Sequence, residues 1–188
     1  MNKLIVFTAP SGAGKTTIVR HLLQRIDTLA FSVSATTRAQ RMHERNGEDY
    51  YFMSPERFKH LVEANAFVEW EEVYDNQFYG TLRSEIERLW AIGKNILFDI
   101  EVKGATNIKR QYPQQTLAIF VKPPSPEELF NRLHRRGTED EASLQKRIAR
   151  AAEELTYENN FDFVLVNDTL EKALQEAETI VRDYLSTS

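Results

Sequence analysis

Nine residues near the N-terminus constrain this chain more than anything else in it. Ala9-Pro10-Ser11-Gly12-Ala13-Gly14-Lys15-Thr16-Thr17 follows the apolar, β-branched run Leu4-Ile5-Val6-Phe7-Thr8. It precedes a segment with Ile18, Val19, Leu22, Leu23 and Ile26 on one helical face. A buried strand, a loop of small residues and a helix start form a cradle for an anion: backbone N–H groups curl around it, and the helix dipole lies behind it. The run fits the phosphate-loop pattern except that Ala9 takes the first glycine's place, which is tolerable if its φ stays negative. In such a loop Ser11, Gly12, Ala13, Gly14 and Thr17 line the phosphates of a nucleotide. Lys15 reaches the β- and γ-phosphates, and the Thr16 hydroxyl ligates Mg²⁺. A chance glycine loop before a core helix is the bland alternative; motif and context together argue against it. The loop implies nucleotide binding but does not separate a kinase from another NTPase or a GTPase.

The remaining pattern predicts an α/β fold of the P-loop NTPase type, a parallel sheet with helices on both faces. Strands are expected at Leu4–Thr8, Phe31–Ser34, Tyr50–Phe52, Phe67–Trp70, Asn95–Ile100, Thr116–Val121 and Phe163–Val166. Ser54-Pro55 and Ser125-Pro126 each read as an N-cap followed by proline at the first helical position. Further helices are expected after Gly80 through Leu89, after Ile100 to about Tyr112, over Asp140–Tyr157, and from Leu170 through Val181. Residues 35–49 are polar and weakly patterned, a loop by this reading. The alternation breaks over 34–82, a small inserted subdomain. Over 127–156 it gives a helix, a glycine turn and a second helix thick with arginine.

Composition removes several classes of function. The 188 residues suit one domain with a real core, and with no cysteine there is no disulfide, thiolate metal site or thiol nucleophile. A net charge of −4 and a pI near 5.7 exclude a bulk nucleic-acid binder. No segment approaches the ~20 apolar residues of a membrane helix, and the N-terminus lacks the apolar length of a signal peptide. A cytoplasmic protein is the default. His21, His43, His60 and His134 are scattered without ligand spacing. Trp70 and Trp90 read as packing residues.

The residues beyond the phosphate loop narrow the reading. Ser32-Val33-Ser34-Ala35-Thr36-Thr37-Arg38 with Arg41, Asn46-Gly47-Glu48-Asp49-Tyr50-Tyr51-Phe52, Phe67-Val68-Glu69-Trp70 and Tyr79-Gly80-Thr81 occur in order. After them come Asp99-Ile100-Glu101-Val102-Lys103-Gly104, then Arg132-Leu133 with Arg136-Gly137-Thr138, and Val166-Asn167-Asp168. This series resembles guanylate kinase over nearly the whole chain. The resemblance implies transfer of the ATP γ-phosphate to GMP with Mg²⁺, giving ADP and GDP. It also implies three parts: a core (1–33, 83–126 and 157–188), a GMP-binding insertion (34–82) and a helical lid (127–156). The implied partners are small molecules, namely ATP, GMP and dGMP, with no nucleic acid and no membrane. A monomer or weak homo-oligomer is expected.

The chemistry of the matched residues agrees. Guanine offers two donors, N1–H and N2–H, beside the acceptor O6, and a carboxylate can accept both donors. Glu69 matches the guanine-reading acid, with the hydroxyls of Ser34 and Thr81 facing the base. Adenine has an acceptor where guanine has N1–H, and such mismatches discriminate strongly. Arg38 and Arg41 can fork onto the GMP phosphate, with Tyr50 and Tyr79 donating phenolic hydroxyls; Tyr51 reads as packing. Arg132, Arg136 and Arg147 match lid arginines that reach the ATP phosphates and the moving phosphoryl group, while Arg135 and Arg150 read as solvated helix charge. Asn167 resembles the position near adenine. Asp99 and Glu101 fall near the GMP ribose and base, or Asp99 is an outer-shell partner of the metal at Thr16. A kinase of the same scaffold acting on ribose 1,5-bisphosphate would not need Glu69, Ser34 and Thr81. An inactive interaction module would not need Lys15 and Thr16, and nothing resembles the Asn-Lys-x-Asp motif of a GTPase.

Overall fold

The structure, a computed structural model, describes residues 2–135 and 141–187. Its centre is a five-stranded parallel sheet in the order β2-β7-β1-β8-β9, with β1 Leu4–Thr8, β2 Leu29–Phe31, β7 Asn95–Asp99, β8 Thr116–Lys122 and β9 Phe163–Val166. β1 lies between β7 and β8 and is buried along its whole length. Strand periodicity then sorts its side chains onto two faces. Ile5 and Phe7 enter a core under α1 (Lys15–Arg25) and α7 (Leu170–Ser186). Leu4 and Val6 enter a second core with Ile86 and Leu89 of α3 (Arg83–Ala91) and Ala105 and Ile108 of α4 (Val102–Gln111). This is why the run is continuously apolar: both faces are covered. Truncating Phe98 to alanine in the second core would cost about 3–5 kcal/mol.

A second sheet, in the order β4-β3-β6-β5, is built from β3 Ala35–Thr36, β4 Tyr51–Phe52, β5 Phe67–Tyr74 and β6 Gln77–Leu82. It closes over its own small core, in which Phe58 stacks 4.4 Å from Phe67 and 5.5 Å from Phe78. Phe58 comes from α2 (Pro55–Glu63), whose N-cap Ser54 accepts the Arg57 N–H. The remaining helices are α5 (Pro126–Arg135) and α6 (Glu141–Leu155), joined through Leu129, Leu133 and Ala151. Among the described residues no helix is long and apolar enough to cross a membrane.

Four expectations need correction. β2 ends at Phe31 instead of starting there; the Ser32 N–H still donates to Leu97, and the chain then leaves for the second sheet. Ala35–Thr36 is a strand inside the expected loop, too short to show a period. β6 went unread: β5 runs on to Tyr74, turns through Asn76 at φ +58° and returns, so α3 starts only at Arg83. A bulge between Phe67 and Glu69 hides the alternation of β5 by burying three successive residues. Trp70 is 44% exposed, with one tilted contact to Phe78, whereas Trp90 packs edge-on against Tyr112.

Candidate active site

The phosphate loop sits at the carboxyl end of β1, where an open parallel sheet places its ligand crevice. Gly12 and Gly14 both lie at φ +93°, while Ala9 stays out of the left-handed region as its substitution requires. Gly14 has a second reason to be glycine: a Cβ there would lie 2.4 Å from Nδ2 of Asn167. That amide donates to the Ala13 carbonyl at 2.8 Å, and the Asn167 backbone carbonyl accepts from Arg132 at 3.1 Å. Arg147, from α6, donates to the Ser11 hydroxyl at 2.8 Å. Asn167, Arg132 and Arg147 thus converge on the loop from three separate elements, with Leu129 and Leu133 packed under Gly12.

Lys15 and Thr16 open α1 and meet Asp99 at the end of β7. The ammonium lies 2.8 Å from one carboxylate oxygen and donates to the Ile100 carbonyl; the Thr16 hydroxyl donates to the other oxygen at 3.0 Å. Burial opposes the charge on Lys15, but Asp99 and Glu101 outweigh it and raise its pKa. A hydroxyl and a carboxylate side by side are hard oxygen donors of the kind Mg²⁺ prefers. Among the described residues no group of three or more His, Asp or Glu forms a metal cage. The donor set fits a cation shared with substrate phosphates.

Beyond Asp99 the cleft continues along the second sheet, where Ser34, Tyr50, Glu69 and Tyr79 line it with Glu101 and Arg147. Glu69 is buried, and burial pushes its carboxyl up to about 7, with Glu71 and Glu101 adding to the shift. The Thr81 hydroxyl donates to it at 2.6 Å, so Thr81 serves the carboxylate rather than the open cleft. Gly104 of α4 leaves room behind it. Arg38 grips Glu44 through two bonds of 2.7 and 3.0 Å, under the rings of Tyr50 and Phe52. Its guanidinium, with the Arg41 N–H, holds Glu44 down at about 2, and Glu44 in turn raises Arg38. Arg41 is exposed beside this pair, its backbone N–H on Glu44. Arg136 lies outside the described residues, as does the side chain of Arg135.

Arg150 overturns its expectation as solvated charge: it lines the cleft between Glu71, Glu101 and Glu154. Glu44, Glu71 and Glu154 also escaped the sequence reading, and Gly104 stood in it only within a matched run, with no role. The one available signal was Gly104, a residue with no local purpose inside a helix. The acids carry no signature until the fold brings them together. Burial pushes Glu71 and Glu154 upward, Glu154 with help from Glu101.

The family model described as guanylate kinase matches residues 1–184. A guanylate kinase of Salinibacter ruber is 50% identical over 98% of this chain and 97% of its own length. One from Porphyromonas gingivalis is 46% identical over 99% of this chain and 100% of its own length. The crystal structure of guanylate kinase from Anaplasma phagocytophilum superposes with a TM-score of 0.80 at 29% identity, covering 100% of this chain and 88% of that one.

Proposed function

The chain belongs to the guanylate kinase family, and on that premise we propose how its cleft divides the transfer of the ATP γ-phosphate to GMP. The products are ADP and GDP. The observation that carries the reading is Glu69, a buried carboxylate on the same cleft as Arg147 and as Asp99, the partner of Lys15. Once ionised it accepts N1–H and N2–H of guanine, a pair of donors that no other common base presents on one edge. Thr81 fixes its orientation and Ser34 donates to O6. Arg38, Arg41, Tyr50 and Tyr79 hold the GMP phosphate, with Glu44 presetting the Arg38 fork.

On the donor side, Ser11 to Thr17 cradle the ATP phosphates and Asn167 lies toward the adenine. Lys15, Arg132 and Arg147 supply positive charge to the moving phosphoryl group, and Arg136 joins them on the resemblance. Mg²⁺ would be held by Thr16 with Asp99 as an outer partner, and would supply charge neutralisation to the ATP phosphates. A GMP phosphate oxygen attacks the γ-phosphorus. The bond to the β–γ bridging oxygen breaks, and that oxygen leaves on ADP. The acceptor oxygen is already ionised, so the protein supplies no base, only position and charge.

In this reading 1–33, 83–126 and 157–188 are the core, 34–82 the GMP-binding insertion and 127–156 the lid. The base-reading set does not involve the ribose 2′ position, so dGMP is also a substrate. The enzyme works in the cytoplasm as a monomer or weak homo-oligomer, and its pI near 5.7 supports neither nucleic acid nor an anionic membrane as partner. ADP release with ATP and Mg²⁺ tests the reading, with GMP, AMP, CMP, UMP and ribose 1,5-bisphosphate offered separately. Turnover with GMP alone is expected. Turnover with the ribose compound would overturn the base reading, and none at all in a folded protein would overturn the activity.

A further inference from the structure

Arg150 touches more of the molecule than any role so far assigned to it explains. Its Nε donates to Glu154 Oε1 at 2.8 Å, within α6. Its Nη1 donates to the Val73 carbonyl of β5 at 2.8 Å. Its Nη2 faces Glu71 Oε1 of β5 at 3.4 Å and Glu101 Oε2, at the start of α4, at 3.6 Å. The Tyr74 ring lies 5.8 Å from the guanidinium carbon. One planar fork thus bridges the second sheet, the main body and the second helix of the arginine-rich pair.

The helix matters as much as the fork. Three residues earlier on α6, on the same face, Arg147 donates to Ser11 of the phosphate loop. On β5, Glu71 lies two residues from Glu69, on the same side of the strand, and both line the cleft. A shift of β5 on guanine pairing at Glu69 would thus be passed to α6 by Arg150, and by α6 to Arg147. The charge arrangement makes the link costly to open. Glu71 and Glu154 each keep one buried oxygen that accepts no hydrogen bond among the described residues. If the guanidinium withdrew, three carboxylates would face one another, with Lys103, 3.7 Å from Glu71, left to offset one of them. A lysine would replace it only in part, since an ammonium is a point charge without the planar fork.

We infer that Arg150 is a positioning residue that couples the two substrate sides: through it, GMP bound near Glu69 favours the donor-side setting of Arg147, and ATP favours GMP. This rests on the reading of the cleft as an ATP–GMP site. By linkage the coupling is reciprocal.

The test is a ratio. GMP affinity is measured calorimetrically on the full chain with and without a non-hydrolysable ATP analogue and Mg²⁺, for wild type, Arg150→Met, Arg150→Lys and Glu71→Gln. The analogue is expected to tighten GMP binding to the wild type about fivefold or more. In Arg150→Met the factor falls to within about twofold of one, with Arg150→Lys and Glu71→Gln between. A merely structural role would weaken binding while leaving the ratio intact. Should Arg150→Met fail to fold, the lysine and Glu71 variants carry the test. The inference is overturned if the folded variants keep the wild-type ratio, or if the wild type shows no coupling. Failure of the wild type to bind GMP at all is a different outcome, and overturns the GMP reading itself.

Discussion

Gly104 and Glu69 face each other so closely that a single methyl group would not fit: a Cβ on Gly104 would lie 2.5 Å from Glu69 Oε2. The glycine is in the third position of α4, where alanine would ordinarily stabilise the helix by about 0.5–1 kcal/mol. Gly104→Ala should therefore act on the carboxylate far more than on the fold. Glu69 is held from its other oxygen by Thr81 and cannot retreat without breaking that bond. The expected result is a KM for GMP raised about tenfold or more, with KM for ATP nearly unchanged. Steady-state kinetics with each substrate varied in turn checks it, and equal losses on both sides would refute the assignment.

Glu69 should also make GMP use depend on pH. Its carboxyl is raised from 4.5 to about 7, so the buried group favours the proton while guanine needs the ionised form. KM for GMP should rise as pH falls below 7, and Glu69→Gln should lack that part of the slope, keeping only the titration of the GMP phosphate itself near pH ~6. Stability runs the opposite way. A raised acid costs nothing below pH 4.5, where both states are protonated. The folded state then loses stability as pH rises toward 7, and above 7 the full cost, roughly 3 kcal/mol, remains. Glu69→Gln should thus gain stability over wild type at pH 8 but not at pH 4 in denaturant titrations, while losing GMP use at both.

Lys15 tests the donor side. Its ammonium sits on Asp99 and the Ile100 carbonyl, close to where the phosphates of ATP would lie. Lys15→Ala is expected to lower kcat by on the order of 10²–10³. The change in Tm should be small beside the loss of kcat, since Asp99 lines the open cleft and Thr16 still donates to it. Near-normal turnover in single-turnover assays would remove the lysine from the reaction.

These sites differ in how visible they were before folding. The phosphate loop is contiguous, so its spacing alone displays Gly12, Gly14, Lys15 and Thr16. The strands of the main sheet were legible as apolar runs, the inner ones because both their faces are covered; β9 at the edge is apolar although only Leu165 of it is buried, and β2 was placed two residues late. The second sheet was legible only in part: β4 and the first half of β5 were read, β3 and β6 were not. β3 has two residues, both buried, and the bulge in β5 erases the alternation. Glu69 could be singled out only through the family resemblance. Its environment comes from Thr81 across a hairpin and Gly104 on a distant helix. Arg150 shows the limit most clearly: one of many charges on a helix, it is distinguished by four partners that lie 4, 49, 77 and 79 residues away.

The Arg38–Glu44 pair predicts a graded effect. Glu44 accepts both arms of the guanidinium and the Arg41 N–H. Glu44→Gln keeps one acceptor and loses the charge, leaving the fork less well set for a phosphate. KM for GMP should rise about three- to tenfold with kcat little changed. The carboxyl lies at about 2 in the folded state, so its stabilising contribution is present above its ordinary value of 4.5 and lost as pH falls toward 2. The stability difference between wild type and Glu44→Gln should shrink over that window, and acid-unfolding curves that stay parallel would contradict the pairing.

Gly14 and Asn167 allow the two causes of a glycine requirement to be separated. Gly14→Ala incurs the left-handed backbone at φ +93°, worth about 1–2 kcal/mol for an L-residue. It also incurs the 2.4 Å approach to the Asn167 amide. Asn167→Ala removes the amide but frees the Ala13 carbonyl, costing about 1 kcal/mol. If both causes operate, Gly14→Ala should cost less in the Asn167→Ala background than in wild type, and the residue of the cost should match backbone strain alone. A double-mutant cycle of unfolding free energies reads the difference. Strict additivity would mean that the amide turns aside freely and that backbone conformation alone demands glycine at the start of α1.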